Sequence, residues 1–316
     1  MITTKDEIYQ FHAGHPGFSA GWYLANNPDV RSSDMDAFSH YCNFGASEGR
    51  DPSPFFDTDF YLKQLDFLRI DVSSELTPLL HYSSIGWTLG LNPNYLFDTN
   101  YYIQGLHDNS DNFSFVERDP LSHFLLSNDR SVNPHPLFDF EWLHHKYPDL
   151  NNLGTNAWCH YLLEGWRERR STHPEFSPQF VEQQIHQLGV SNTSHLDLLR
   201  FYLDFGTEIG LEPHRFFDSK FYISQIFELF NDEIDYDFNP LLHFVTTGKA
   251  LGVKRNPIIN EKIWWQRRPK GHKSKYLLEI ISNSIEESPI DTHPVLTSTI
   301  ARFILQKTYN DVHVHP

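Results

Sequence analysis

The stretch that decides the fold runs from Asp51 to Leu91. It begins Asp51-Pro-Ser-Pro-Phe-Phe-Asp-Thr-Asp-Phe-Tyr-Leu62 and, after a polar run, continues Thr77-Pro-Leu-Leu-His-Tyr-Ser-Ser-Ile-Gly-Trp-Thr-Leu-Gly-Leu91. The same pattern returns about every 40 residues along most of the 316-residue chain, and self-similarity at such a period is the signature of a repeat protein. The period therefore decides the fold class before any single residue does.

Two short motifs mark each repeat. The first is an apolar residue followed by a small polar one: Phe18-Ser19, Phe56-Asp57, Phe97-Asp98, Phe138-Asp139, Phe176-Ser177, Phe217-Asp218 and Ile259-Asn260. The second is an aromatic pair, usually His followed by Tyr or Phe: His40-Tyr41, His81-Tyr82, His123-Phe124, His160-Tyr161, Phe201-Tyr202 and His243-Phe244. Five residues after the first member of the second motif stands a glycine, except in the third repeat, which has Asn128.

Each motif lies where a helix is expected to begin. The polar residue of the first motif is Ser, Asp or Asn, whose side chain can accept a hydrogen bond from an unpaired N–H of the first helical turn. Residues of the same kind stand four positions before each second motif: Asp36, Thr77, Asp119, Asn156, Asp197 and Asn239. Pro78, Pro120 and Pro240 follow three of them at the first helical position, where a missing N–H costs nothing. The sequence predicts helix, loop, helix, loop in each repeat.

The predicted helix ends agree with this arrangement. Gly49, Gly90, Gly210 and Gly252 stand nine residues after the start of the second motif, where a left-handed C-terminal glycine is expected. Pro28-Asp29 and Pro148-Asp149 are expected to end the first helix of their repeats, because proline disfavours a helical residue before it.

The fold class predicted is all-α, a solenoid-like tandem array of about seven two-helix repeats. Residues 1–15 form a lead-in, and residues 16–258 contain six repeats: 16–55, 56–96, 97–137, 138–175, 176–216 and 217–258. Residues 259–316 contain a degenerate seventh repeat, which lacks the second motif, and a C-terminal cap.

Composition narrows the possible partners. The formal net charge of −16 opposes nucleic-acid binding through a general basic field. No apolar window of about 18 residues is present, so no transmembrane segment is expected, and the polar start argues against a signal peptide. Cys42 and Cys159 have no CxxC spacing, so neither a disulfide framework nor a zinc site is indicated. These features favour a cytoplasmic location, with peripheral contact to the inner membrane left open.

One segment departs from the acidic average. Five basic residues fall within Arg267–Lys275, next to two tryptophans, and the candidate contacts for an anionic sugar, a phosphate or an acidic lipid surface are Trp264, Trp265, Arg267, Arg268, Lys270 and Lys273. The alternative is a solvated loop in which the tryptophans occupy the apolar stripe of the helix. We favour this alternative, because charge runs are usually surface loops.

The common catalytic motifs are mostly absent from the sequence. There is no GxSxG, P-loop, GxGxxG or HExxH pattern. Asp-x-Asp triplets, which can chelate a divalent ion in sugar-nucleotide transferases, begin at Asp34, Asp57 and Asp235. Asp36 and Asp57 are explained as helix caps, so Asp235 and Asp237 remain as weak metal candidates. No cofactor is predicted.

The histidines of the second motif form a column of equivalent positions. Neighbouring repeats are expected roughly 10 Å apart, which is too far for two imidazoles to share a metal ion. Phe201 replaces histidine in the fifth repeat, which suits a packed position. We therefore interpret these histidines as structural, filling space between repeats and giving an N–H to a backbone carbonyl of the preceding loop.

Several strings of the repeat carry a family resemblance. They are the Phe-Asp-x-x-Tyr-Tyr pattern and the segments Asn27–Val30, Gly45–Arg50, Pro78–Tyr82 and Pro134–Asp139. They look like the tandem repeats that accompany glycosyltransferase domains in bacterial surface-polysaccharide proteins. The resemblance covers residues 16–258 and implies association with glycan assembly. It carries over no catalytic residue.

The sequence therefore favours a non-catalytic scaffold or recognition module for surface-glycan assembly, with a protein or a glycan as partner. Two alternatives stay open. One is a glycosyltransferase-type enzyme whose site has no recognisable motif. The other is an adaptor that docks on a membrane surface or a protein through the basic segment.

Overall fold

The computed structural model describes residues 14–71, 76–109, 118–127, 131–152, 154, 156–230 and 238–257. The chain divides into two compact units, Met1–Thr172 and His173–Pro316, called here the N-terminal and the C-terminal unit. The described part of the first holds most of repeats 1–4, and that of the second holds most of repeats 5 and 6. The predicted seventh repeat and the cap lie outside the described residues.

The described residues are helical, as the sequence predicts. The first helices of the six repeats are Ala20–Asn26, Thr58–Leu68, Thr99–Asn109, Phe140–Lys146, Pro178–Gln187 and Ser219–Phe230. The second helices begin with the α-helical segments Ala37–His40, Pro78–Ser84, Pro120–Leu126, Ala157–His160, Leu198–Phe201 and Pro240–His243. Short additional helices are Pro28–Arg31, Pro148–Asn152 and Thr207–Ile209. Within this part of the chain the only extended pairings are two isolated bridges, Ser53 with Phe56 and Asn94 with Phe97.

The predicted caps are confirmed at both helices of the six described repeats, whereas the predicted cap Asn260 lies outside the described residues. In the first helices, the capping oxygen accepts a backbone N–H three residues later, for example Tyr101 N to Asp98 Oδ1 at 2.9 Å. In the second helices the caps act in the same way, with Thr77 bound by Leu80 N and Asn156 by Cys159 N. These bonds satisfy donors that the helix cannot pair internally.

The helix ends are mostly as predicted. Gly49, Gly90, Gly210 and Gly252 all have left-handed backbone conformations, with φ of 74° or 75°. Arg169 occupies the equivalent place in repeat 4 and has φ 57°, which is a strained conformation for a residue with a Cβ.

The second helices differ from the regular α-helix expected. In repeats 1, 4, 5 and 6 the α-helical segment continues as one widened π-helical turn: Tyr41–Gly45, Tyr161–Gly165, Tyr202–Gly206 and Phe244–Gly248. Repeat 2 instead has a tighter 3₁₀ turn at Gly86–Leu89. A π-helix is rare and, where it occurs, is usually a single turn within an α-helix, whereas 3₁₀ turns are frequent at helix ends.

A hydrogen bond links the start of each first helix to the segment that leads into the next repeat. We call the segments 51–56, 92–97, 133–138, 171–176 and 212–217 junction turns. The bonds run from the N–H of the capping residue to a carbonyl 33 to 37 residues later and measure 2.8–3.0 Å: Ser19 to Pro52, Asp57 to Pro93, Asp98 to Pro134, Asp139 to Thr172, Ser177 to Pro213 and Asp218 to Arg255. Each of these bonds lies within a single unit.

Aromatic rings make up much of the core. In the N-terminal unit, Trp158 is fully buried, packs edge-on against Phe124 with 5.1 Å between centroids, and donates Nε1–H to Leu96 O at 2.8 Å. In the C-terminal unit, Phe217 and Tyr222 pack against Phe244 at 5.6 and 5.8 Å. Edge-on packing of this kind adds to the stabilisation from burial alone.

Candidate functional site

The residues predicted to bind an anion or a metal ion all lie outside the described part of the chain. They are Trp264, Trp265, Arg267, Arg268, Lys270 and Lys273 for the anion, and Asp235 and Asp237 for the metal ion. The anion-binding and metal hypotheses at these positions therefore stay predictions.

In repeats 1, 2, 3 and 6 the histidine of the second motif contacts a tyrosine of the first helix in the same repeat. In four repeats Nδ1 of the histidine and the tyrosine hydroxyl share a hydrogen bond: Tyr23–His40 at 3.0 Å, Tyr61–His81 at 2.7 Å, Tyr102–His123 at 2.9 Å and Tyr222–His243 at 2.6 Å. From the sequence, the imidazole is expected to give an N–H to a backbone carbonyl of the preceding loop. At these positions Nδ1 is instead paired with the tyrosine hydroxyl, which the sequence does not indicate as a partner.

The glycine five residues after the histidine makes room for this hydroxyl. A Cβ built on Gly45, Gly86 or Gly248 would lie only 2.1, 2.0 or 1.9 Å from the tyrosine oxygen of its repeat. Such a separation is far below van der Waals contact, so no other residue fits without displacement. The glycine of the motif therefore belongs to a Tyr–His–Gly cluster, a role that its spacing alone does not reveal.

Repeats 4 and 5 lack the tyrosine, and their second motifs differ accordingly. Leu143 takes the tyrosine position in repeat 4, and His160 there pairs through Nε2 with Glu168 at 3.2 Å. Val181 takes it in repeat 5, where Phe201 replaces the histidine. Histidine bonded to tyrosine is thus exchanged for a fully apolar pair in repeat 5, as expected for a structural contact.

Electrostatics agree with a structural role. Burial raises the pKa of Tyr61 far above its ordinary value and lowers the pKa of His81, so both side chains are neutral at pH 7. Among the described residues, no group of three or more His, Cys, Asp or Glu side chains could hold a metal ion.

The most enzyme-like group of side chains in the described part surrounds His15. Nε2 of His15 lies 2.7 Å from Ser83 Oγ, 3.0 Å from Ser122 Oγ and 3.2 Å from Asp119 Oδ2. His15, Ser122 and Asp119 are at most 5% exposed. Burial alone would raise the pKa of Asp119, but its hydrogen bonds from His15 and Ser122 outweigh this effect and lower the pKa. Sequence reasoning missed this cluster because its members are up to 107 residues apart.

This cluster does not have the geometry of a catalytic triad. In a triad, one imidazole nitrogen faces the serine and the other faces the carboxylate. Here the serines and Asp119 share Nε2, while Nδ1 of His15 accepts the backbone N–H of Gly17 at 2.9 Å. Nε2 of the neutral ring must then carry the proton, so it donates to the serines and cannot act as their base. The arrangement holds His15 against the second helices of repeats 2 and 3.

The N-termini of the first helices do not offer a phosphate site of the usual kind, which needs free N–H groups. The cap residue's own N–H donates to a carbonyl of the segment leading into the next repeat. The cap side chain accepts the N–H three residues later. The first helical N–H is also taken, by a side chain seven residues earlier: Thr58 by Asp51, Thr99 by Asn92, Phe140 by Asn133 and Ser219 by Glu212. Repeat 5 has Pro178 at this position and needs no acceptor.

The described Asp-x-Asp triplets are also accounted for. Asp36 accepts Ser39 N at 2.9 Å, and Asp57 accepts Phe60 N at 2.8 Å. Both act as helix caps, as predicted.

Two strings that carried the family resemblance contact each other. In repeat 1, Arg50 binds Asn27 Oδ1 at 2.8 Å, Asp29 at 2.8 Å and Glu48 at 2.7 Å. The hydrogen bond from Arg50 lowers the pKa of Asp29 to about 2. Repeat 4 has equivalent ion pairs, from Arg170 to Asp149 and Glu168. The charged residues of these strings are therefore engaged in holding a loop against a helix end.

Comparisons with family models, with curated proteins and with solved structures gave no match to this chain. Within the described residues, no helix combines the length and the apolar character needed to span a membrane.

Proposed function

We propose that the chain is a non-catalytic helical repeat scaffold or recognition module, associated with the assembly of bacterial surface glycans. The observation that carries the non-catalytic part is the use of the recurring polar residues. Caps, Tyr–His pairs, junction-turn acceptors and arginine clamps engage the residues that recur from repeat to repeat, and each role supports the helices. The glycan context rests on the resemblance of the repeat strings.

The proposal includes a solenoid-like array of the repeats. It is supported by the hydrogen bond that joins each described first-helix cap to the segment leading into the next repeat, which recurs six times with nearly the same length. A contact that recurs between equivalent positions of successive repeats is what a quasi-one-dimensional array requires.

A measurement of nucleotide-sugar turnover distinguishes a scaffold from a glycosyltransferase. The full chain is incubated with uridine and guanosine diphosphate sugars, with and without Mn²⁺, and the release of nucleoside diphosphate is followed. We expect release no faster than in protein-free controls and no metal-dependent shift in melting temperature. Release that is abolished by Asp235→Ala or Asp237→Ala would make the chain an enzyme instead.

Recognition is tested through the basic segment. If this segment binds anionic glycan, replacing Arg267, Arg268 and Lys270 with Gln removes salt-sensitive retention on an acidic polysaccharide without changing the melting temperature. Replacement of Lys220, Lys249 and Lys254 with Gln removes the same number of charges from exposed positions in the described part of repeat 6 and is the matched control. Retention only on anionic vesicles would favour a membrane-docking adaptor, and absence of retention by the parent chain would remove this segment from the proposal.

A further inference from the structure

The third residue of each junction turn has a role that the sequence does not make obvious. Its side chain accepts the backbone N–H two residues later. Ser53 and Asn94 do so in two turns, at 3.1 and 2.8 Å. Histidine does so through Nδ1 at the other equivalent positions, with N···N distances of 2.9 Å for His15, 3.0 Å for His135, 3.1 Å for His173 and 3.3 Å for His214.

The acceptor role restricts the charge of the ring. A neutral imidazole can leave Nδ1 unprotonated, but an imidazolium carries a hydrogen on both nitrogens. A protonated ring would therefore set its Nδ1–H against the backbone N–H of the turn, and the hydrogen bond would be lost. Serine and asparagine do not titrate, so turns built on them have no such restriction.

Among these histidines, His135 and His214 are buried and no carboxylate contributes to their pKa shifts, whereas His173 is only half-buried. His135 is 6% exposed and His214 is 9% exposed. Burial lowers the pKa of His135 to about 3, and no described charge contributes to this shift. Burial also lowers the pKa of His214 to about 3, and the neighbouring guanidinium groups of Arg215 and Arg255 add to the effect. His15, by contrast, faces the carboxylate of Asp119, which would offset a positive charge.

Opening of such a turn would also break its contact with the preceding first helix. Pro134 O accepts the N–H of Asp98, which caps the first helix of repeat 3, and Pro213 O accepts the N–H of Ser177, which caps that of repeat 5. Each turn thus joins two consecutive first helices within one unit.

We propose that protonation of His135 and His214 opens their junction turns at mildly acidic pH, while the turns built on Ser53 and Asn94 stay closed. The repeat module would then carry one acid-sensitive joint of this kind in each unit. Because an opened turn binds protons more readily than the closed one, closure is fully favoured above the ordinary histidine pKa of about 6.5. Below that pH the equilibrium constant for closing each histidine turn falls roughly tenfold per pH unit.

Hydrogen exchange of single amides tests the proposal on the full chain. Protection factors, which correct for the intrinsic rate, are compared at pH 7.5 and pH 5.0 for Leu137 N and Phe216 N, the donors to the two histidines. Leu96 N, the donor to Asn94, is the internal reference. We expect at least a tenfold loss of protection at Leu137 and Phe216 on acidification and less than a threefold change at Leu96.

His135→Asn and His214→Asn transfer the side chain of the Asn94 turn to the two histidine positions. Each variant should keep its own turn protected at pH 5.0 while the other histidine turn still opens. If an asparagine variant fails to fold, His135→Ser or His214→Ser supplies the Ser53 type of turn instead. An equal loss of protection at Leu96, or an unchanged pH response in folded variants, would overturn the proposal.

Discussion

The hydroxyl of Tyr61 and Nδ1 of His81 lie 2.7 Å apart, in a contact that joins the two helices of repeat 2. Tyr61 is fully buried and His81 is 5% exposed, so neither group can turn to water if its partner is removed. A buried polar group left without a partner is destabilising by about 1–3 kcal/mol. The pair is therefore expected to behave as one unit under mutation.

His81→Ala should lower the free energy of unfolding by about 2–4 kcal/mol, because it opens a cavity and strands the Tyr61 hydroxyl. From sequence, His81→Phe is expected to be mild. The contact changes that expectation to a loss of about 1–3 kcal/mol, since phenylalanine fills the space but cannot bond to Tyr61. The measurement is denaturant unfolding followed by circular dichroism.

The combination found in repeat 5 is the control for this prediction. Tyr61→Val with His81→Phe copies Val181 and Phe201, so the double variant should be more stable than the sum of the two single losses predicts. Strict additivity would show that the hydrogen bond contributes nothing. Added zinc should leave the free energy of unfolding unchanged in both the parent and His81→Ala. If zinc stabilised the parent but not His81→Ala, His81 would be a metal ligand.

Gly86→Ala should destabilise the protein by about 2 kcal/mol or more, because its methyl group would lie 2.0 Å from the Tyr61 oxygen. The next nearest atom is the ring carbon Cζ at 3.2 Å, so Tyr61→Phe removes the severe clash. In the Tyr61→Phe background, Gly86→Ala should therefore cost less than 1 kcal/mol. Urea unfolding of the four proteins in this cycle measures the coupling, and an unchanged penalty in the phenylalanine background would contradict it.

The cap of repeat 3 gives a prediction that follows from the sequence and is now supported by geometry. Asp98→Ala should lower the free energy of unfolding by about 1 kcal/mol, and Asp98→Ser should change it by only a few tenths. Ser19 and Ser177 already fill the same role in other repeats, accepting N–H groups at 3.4 and 3.3 Å. Equal effects of alanine and serine in denaturant melts would show that the side-chain bond to Tyr101 N contributes little.

Local features of the fold could be predicted because they depend on neighbouring residues. A cap such as Asp98 reaches only three residues along the chain, and a glycine such as Gly210 reports its own backbone conformation. The Tyr61–His81 bond joins residues 20 apart, and both had a sufficient explanation in packing, so nothing in the sequence required the contact. The cluster at His15 depends on three segments meeting in space, which a repeat period does not specify.

Arg169 marks a place where the sequence departs from its own repeat. Its φ of 57° is the conformation that glycine adopts at the equivalent position of other repeats. Arg169→Gly should raise the free energy of unfolding by about 0.5–1 kcal/mol, although the bond from its Nη1 to Trp166 O is lost. Gly210→Ala, at φ 74°, is the converse control and should destabilise by about 1 kcal/mol. Thermal melts of the two variants should shift in opposite directions, and a shift of both to lower temperature would mean that the Arg169 side chain outweighs its backbone strain.

Glu175 and Arg255 form a buried ion pair in the C-terminal unit. In most other repeats the position of Glu175 is apolar and that of Arg255 is proline. Both residues are at most 5% exposed, and the Arg255 guanidinium also lies 5.0 Å from the centre of the Phe244 ring. Glu175→Leu alone leaves a positive charge buried without its carboxylate, so it should destabilise by about 3–5 kcal/mol.

The double variant should reverse this loss. Glu175→Leu with Arg255→Pro introduces the residue types that stand at the equivalent positions Leu96 and Pro93. The double variant keeps the carbonyl at position 255 that accepts Asp218 N. Because removing both buried charges also removes their desolvation penalty, we expect stability within about 1 kcal/mol of the parent, or above it. Arg167→Gln, which breaks an exposed pair with Glu164, is the control and should change stability by less than about 1 kcal/mol. A double variant as unstable as Glu175→Leu would show that the pair is required for the C-terminal unit to fold, and not merely tolerated within it.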